Sequence, residues 1–168
     1  MNTDRLLEMH QKGIISEEFY DWLIQNDFQR APASTKYHGA CEGGLYQHSA
    51  AVTEELLNLT EKLGLKWQRD ESPYIIGMFH DLCKIDVYDL KTIGYVHNED
   101  VLLKGHGDKS VMLLSQFMTL TEEEIMCIRY HMGAYETDDW KQFDLAIKKY
   151  PNVLFTHTAD MLVSKLRV

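Results

Sequence analysis

Residues 80–84 read His80-Asp81-Leu82-Cys83-Lys84. A histidine followed directly by an aspartate puts two metal-binding side chains at one point of the chain. They leave the backbone in different directions, so one can hold an ion terminally while the other bridges to a second. The dipeptide alone is common by chance. Its weight comes from four further residues of ligand type, His48, His106, His131 and Asp160. The intervals are 32 residues (48 to 80), 26 (80 to 106), 25 (106 to 131) and 29 (131 to 160). Each is about a helix plus a connection, so each ligand can come from a different helix of one bundle and point inward. Four imidazoles and two carboxylates without a thiolate suit a borderline-to-hard divalent ion: Mn, Fe, Co, Zn, Ni or Mg. Six ligands are too many for one catalytic ion that keeps open positions. They fit two ions sharing Asp81.

The elements that must position these residues read as helices. Leu6, Leu7 and Met9 share a face of a first short helix. Ser16 is an N-cap for a second, carrying Phe19, Trp22 and Leu23. Ala31-Pro32-Ala33-Ser34 breaks the pattern. Apolar positions from Leu45 to Leu63 mark a long helix with His48 in its first turns, ended by Gly64. Pro73 to Cys83 is apolar nearly all round, which predicts a buried central helix with His80 and Asp81 at its end. Val87 to Val96 reads as a short hairpin or an irregular loop around Gly94. A helix is predicted from about Lys109 to Phe117. Thr121 and Glu124 form a capping box opening a helix that carries His131, ended by Gly133. Asp144–Lys149 is a further short helix, and Pro151 starts the last one, with His157, Asp160 and Ser164 at helical steps. Strand signals are scarce. The expectation is an all-α fold, one compact bundle over residues 1–168, with residues 1–30 as N-terminal helices and 31–168 as the metal-site core.

Composition narrows the function. The net charge is −9, and 45% of the 168 residues are hydrophobic. Long nucleic acid calls for a basic stripe, because phosphate neutralisation dominates its binding. Here no more than two Lys or Arg residues are adjacent, so a phosphorylated ligand is expected to be small. No apolar run approaches membrane-spanning length, which predicts no membrane partner. The N-terminus does not read as a signal peptide. Three widely spaced cysteines, Cys41, Cys83 and Cys127, read as reduced thiols in a cytoplasmic setting and as small buried hydrophobes. The spacing leaves the oligomeric state open. His10 and His97 read as ordinary isolated histidines, and His157, one turn before Asp160, as a core residue or a support for the ligands.

The order His48 … His80-Asp81 … His106 … His131 … Asp160 resembles the HD superfamily of metal-dependent phosphohydrolases, in its six-ligand, two-metal version. The surrounding text carries the likeness over roughly residues 31–165. Gly43-Gly44-Leu45-Tyr46-Gln47-His48-Ser49 is similar to the stretch that opens the first ligand helix in HD-type exoribonucleases and their single-domain relatives. His80-Asp81-Leu82-Cys83-Lys84 resembles the family's His-Asp-x-x-Lys, and Thr158-Ala159-Asp160 its closing Ala-Asp. The resemblance implies that His48, His80, Asp81 and Asp160 hold one ion and His106 and His131 a second, bridged by Asp81. It implies hydrolysis of a small phosphate ester, a nucleotide or related mono- or diester, by a metal-bridging hydroxide.

Asp81 and Lys84 are then the catalytic candidates, Lys84 reaching a phosphate oxygen. Lys109, near a helix start that favours anions, is a second candidate cation. His38, Tyr46, Arg129 and Tyr135 lie near ligands in sequence and are candidates for the substrate pocket. The chain lacks a nucleic-acid-binding barrel and a Gly-Tyr-Pro signature, which counts against polymer and cyclic-dinucleotide substrates. Two other readings stay open: a di-iron oxygenase of the same fold, and a non-catalytic nucleotide-binding HD domain.

Overall fold

A computed structural model describes residues 4–36, 39–92, 94–133 and 140–166. The chain is 59% helical, with eight α-helices and one two-stranded hairpin among the described residues. The all-α expectation holds. No helix among the described residues is long and apolar enough to cross a membrane.

Helix α1 (Arg5–Gln11) is capped by Asp4 and α2 (Glu17–Gln25) by Ser16, whose Oγ accepts from the Phe19 N–H. Leu6 and Met9 are buried, whereas Leu7 is exposed, so the first apolar face is narrower than expected. Phe19 stacks on Phe117 at a centroid distance of 4.8 Å and meets Phe79 at a tilt at 5.0 Å, which seats α2 on the core. Helix α3 (Gly44–Leu63) carries His48. Helix α4 (Ser72–Phe79) starts with Pro73 in its first turn and is buried almost all round.

The expected run to Cys83 breaks. Helix α4 stops at Phe79, His80 is its C-cap, and a 3₁₀ turn runs over Leu82–Asp86. Asp81 sits between the two with φ −103° and ψ 17°, outside helical values. The hairpin pairs β1 (Tyr88–Lys91) with β2 (Gly94–His97), Tyr88 opposite His97. Helix α5 (Gly107–Leu114) starts two residues earlier than expected. Helix α6 (Glu122–Arg129) has its capping box in place, with both reciprocal bonds made. Helices α7 (Trp140–Lys149) and α8 (Asn152–Leu166) complete the chain.

Packing closes the bundle around one point. Helix α3 lies against α4 and α8, α8 against α6, and α6 against α5. Two glycines let neighbouring elements pack backbone to backbone. A Cβ on Gly77 would stand 2.5 Å from the Thr53 Cα of α3, and one on Gly107 2.4 Å from the Arg129 carbonyl oxygen at the end of α6. Only hydrogen fits there, so the elements bearing His48 and His80, and those bearing His106 and His131, are brought together by backbone contact.

Candidate metal centre

Five elements deliver the ligands. His48 comes from the second turn of α3, and His80 and Asp81 from the break after α4. His106 stands at the N-cap of α5, His131 lies two residues past α6, and Asp160 is on α8. His48, His80, Asp81, His131 and Asp160 are all buried; the side chain of His106 is 35% exposed.

In the first group His48 Nε2 lies 3.2 Å from His80 Nε2 and 3.1 Å from Asp160 Oδ1. Asp81 Oδ2 is 3.7 Å from His48 Nε2 and 3.6 Å from His80 Nε2, and His80 Nε2 is 4.0 Å from Asp160 Oδ1. Donors about 2.1 Å from an ion stand about 3.0 Å apart at octahedral and about 3.4 Å apart at tetrahedral angles. These four atoms are spaced like the corners of such a shell. The other Asp81 oxygen, Oδ1, faces His131 Nε2 at 3.5 Å and His106 Nδ1 at 3.9 Å. One carboxylate thus turns one oxygen to each group.

The imidazoles are oriented from behind. His80 Nδ1 donates to the Gly77 carbonyl at 2.9 Å and His131 Nδ1 to the Ile128 carbonyl at 2.7 Å. A carbonyl can only accept, so the proton is fixed on Nδ1 and the neutral ring presents the Nε2 lone pair inward, as a metal ligand must. His157 Nδ1 donates to the His131 carbonyl at 2.7 Å, and Ser164 Oγ donates to Asp160 Oδ1 at 3.1 Å. Ser164, four residues after Asp160, was legible only as a position on the helix. His131 Nε2 and Asp81 Oδ1 are buried and make no hydrogen bond. Such groups cost about 1–3 kcal/mol each when nothing meets them. Buried lone pairs aimed at one another fit a cation between them, and overlapping groups of these residues, such as His48, His80 and Asp81, or His80, His131 and Asp160, could hold a metal ion.

The charges agree with that use. Burial works against ionised Asp81, but Lys84, His80, His106 and His131 outweigh it and hold its carboxyl below the usual range. Asp160 is lowered in the same way by His48, His80 and His131 against the effect of burial. Burial pushes His80 down to about 4. Lys84 Nζ donates to Asp81 Oδ2 at 2.7 Å, and although burial opposes its charge, this carboxylate raises its pKa.

The other predicted residues divide. Lys109 is not solvated: it is buried, 2% exposed, and ion-paired with Asp86. Arg129, expected at the pocket, pairs instead with Asp108 at 3.1 Å and covers the Tyr130 ring, tying α6 to α5. Tyr46 points away from the ligands, its hydroxyl donating to Asp4 at 2.8 Å. His38 and Tyr135 lie outside the described residues. One neighbour was missed. Cys83, read as a core hydrophobe, is buried, yet its donor atom lies within 4.8 Å of those of Asp81 and His106. Its place two residues after Asp81 was the available signal. Burial pushes its thiol up to about 12.

Among the described residues, two cavities adjoin the cluster. One, of about 160 Å³, is lined by His48, Asp81, Asp160 and Met161. The other, of about 400 Å³, opens beside His106 and is walled by His97 and the segment that follows it. Lys84 lines both. No family model, curated protein or solved structure matches the chain.

Proposed function

We propose that the protein is a metal-dependent phosphohydrolase of the HD type, acting on a small phosphate ester. The observation that carries the reading is the two-sided Asp81: one oxygen among His48, His80 and Asp160, the other toward His106 and His131, with Lys84 bound to it and reaching both cavities. His48, His80, Asp81 and Asp160 would hold one divalent ion, and Asp81, His106 and His131 the second. Two such ions supply Lewis acidity toward a phosphoryl group and lower the pKa of bound water.

The chain's own residues do the rest. The backbone carbonyls of Gly77 and Ile128 keep the His80 and His131 rings in the ligating tautomer. Asp81 holds the Lys84 ammonium at the junction of the cavities, where it can neutralise a phosphate oxygen without a proton transfer. The net charge of −9 favours a small substrate drawn in by this local cation over a long polyanion.

The test is metal content together with turnover on a panel of phosphomonoesters, nucleotides and phosphodiesters. Lys84→Ala is expected to keep the fold and the ions and to cut kcat/KM by about 10²-fold, near the upper end for a charge-assisted contact. A Lys84→Ala protein that hydrolyses every ester at the parental rate overturns this role. It directs the next experiment to iron loading under air, for the oxygenase reading.

A further inference from the structure

We propose that the 400 Å³ cavity beside His106 seats the organic half of the substrate, and that this half is a group of nucleoside size, a ring system that also carries hydrogen-bonding groups. The inference rests on the phosphoester reading above and adds where the ester lies and which residues select it.

The two cavities differ in what they can hold. The smaller, about 160 Å³ as bounded by the described residues, has His48, Asp81 and Asp160 on its wall beside Met132 and Met161, and has room for little beyond a phosphoryl group. Pockets that enclose organic ligands run from about 300 to 1,000 Å³. Of the two cavities that the described residues form against the cluster, the one beside His106, at about 400 Å³, reaches that size.

That cavity is lined by apolar and by charged or polar side chains together. Lys84 and His106 stand at its inner end, next to Asp81. Val87, Val101 and Leu103 supply aliphatic wall, and Lys104 lies on its lining as well. An ester with its phosphate at the ligands would project its other half between these walls. The aliphatic faces can pack a ring system, and His97, Glu99 and Lys104 on the same lining can hydrogen-bond the hydroxyls of a sugar.

The wall is built and pinned. It comes from the segment between the 3₁₀ turn and α5. Asn98 fastens this segment to the turn, its N–H donating to the Val87 carbonyl at 2.8 Å and its Nδ2 to the Asp86 carbonyl at 3.1 Å. From below, buried Lys109 pairs with Asp86. Leu103 is 41% exposed and lines the cavity.

The experiment uses the metal-loaded protein with adenosine 5′-monophosphate and methyl phosphate, and NMR amide shifts with adenosine alone. Val101→Trp, checked for folding by its thermal melt, should raise KM for the nucleotide about 10-fold or more. It should change methyl phosphate hydrolysis by less than about twofold. Leu103→Trp, at a half-exposed position, replaces it if the first variant does not fold. Adenosine should shift amides of residues 97–105 and leave those of 161–165 in place. Equal effects on both esters, no effect on either, or adenosine shifts confined to 161–165 overturn the assignment. If the parent hydrolyses no ester at all, the phosphoester reading fails. The adenosine shifts then decide the cavity alone: shifts at 97–105 sustain the seat and their absence removes it.

Discussion

At the start of α6, Glu123 and Glu124 are buried as deeply as Asp81, at 4% and 0% exposed against 2%. There every carboxylate oxygen accepts a hydrogen bond. Glu124 takes both arms of Arg69 at 2.7 and 2.8 Å, Ser72 Oγ at 2.8 Å and the Thr121 N–H at 2.9 Å. Glu123 takes the Gln68 N–H at 2.7 Å and Asn152 Nδ2 at 2.9 Å. Around Asp81, by contrast, Oδ1 and the facing His131 Nε2 have no such partner, and two imidazole Nε2 atoms approach to 3.2 Å. A polar cluster complete in itself serves the fold. One that leaves buried lone pairs converging leaves room for something else. Satisfaction, more than burial or charge, tells the two kinds apart.

The comparison breaks most sharply at Asp81. Asp81→Ala should abolish binding of both ions, a loss of well over 10²-fold in affinity, because both groups share this carboxylate. Metal analysis of the purified variant decides it: a variant loaded like the parent means the cluster is not a shared site. Glu124→Ala should do the reverse. It breaks a buried, bidentate ion pair and a helix cap, at about 3 kcal/mol, while the folded fraction keeps its metal. Urea unfolding of the chelated protein measures the cost. If Glu124→Ala loses metal as readily as stability, the two clusters are not separable.

Much of this contrast was legible in the chain. Thr121-Glu122-Glu123-Glu124 announces its cap by local chemistry, and the structure makes that bond. The ligand spacing was legible too, because about one helix per interval is a local property repeated. What the sequence could not show is contact between distant elements. That Arg69 meets Glu124 and that Lys109 is sunk beneath the hairpin against Asp86 depend on packing. So does the turn of Arg129 toward Asp108, away from the ligands. The break after Phe79 was hidden for a different reason. The apolar run continues through Leu82 and Cys83, and periodicity does not distinguish an α-helix from a 3₁₀ turn that buries the same residues.

The smallest effect sharpens the comparison through pH. Burial lowers the pKa of His80 to about 4. For His131 burial also opposes the proton, but Asp81 Oδ1, 3.5 Å away, outweighs it and raises the pKa above 6.5. The signs differ. Above about 6.5 the folded chelated protein holds a proton on His131 that the unfolded chain has lost, so stability rises as pH falls through that range. Below about 6.5 the unfolded chain protonates its counterpart of His80 first, and stability falls until about pH 4. Chelated protein should therefore be most stable near pH 6.5, with slopes of at most about 1.4 kcal/mol per pH unit from each histidine. Urea midpoints read between about pH 4.5 and 8.5 test this. His80→Gln should flatten the acid limb and His131→Gln the alkaline one, while Glu124→Ala lowers the whole curve without moving its maximum. If His80→Gln keeps the acid limb, the burial of an unprotonated imidazole is not what the acid limb reports. The ligand cluster would then titrate no differently from the rest of the fold.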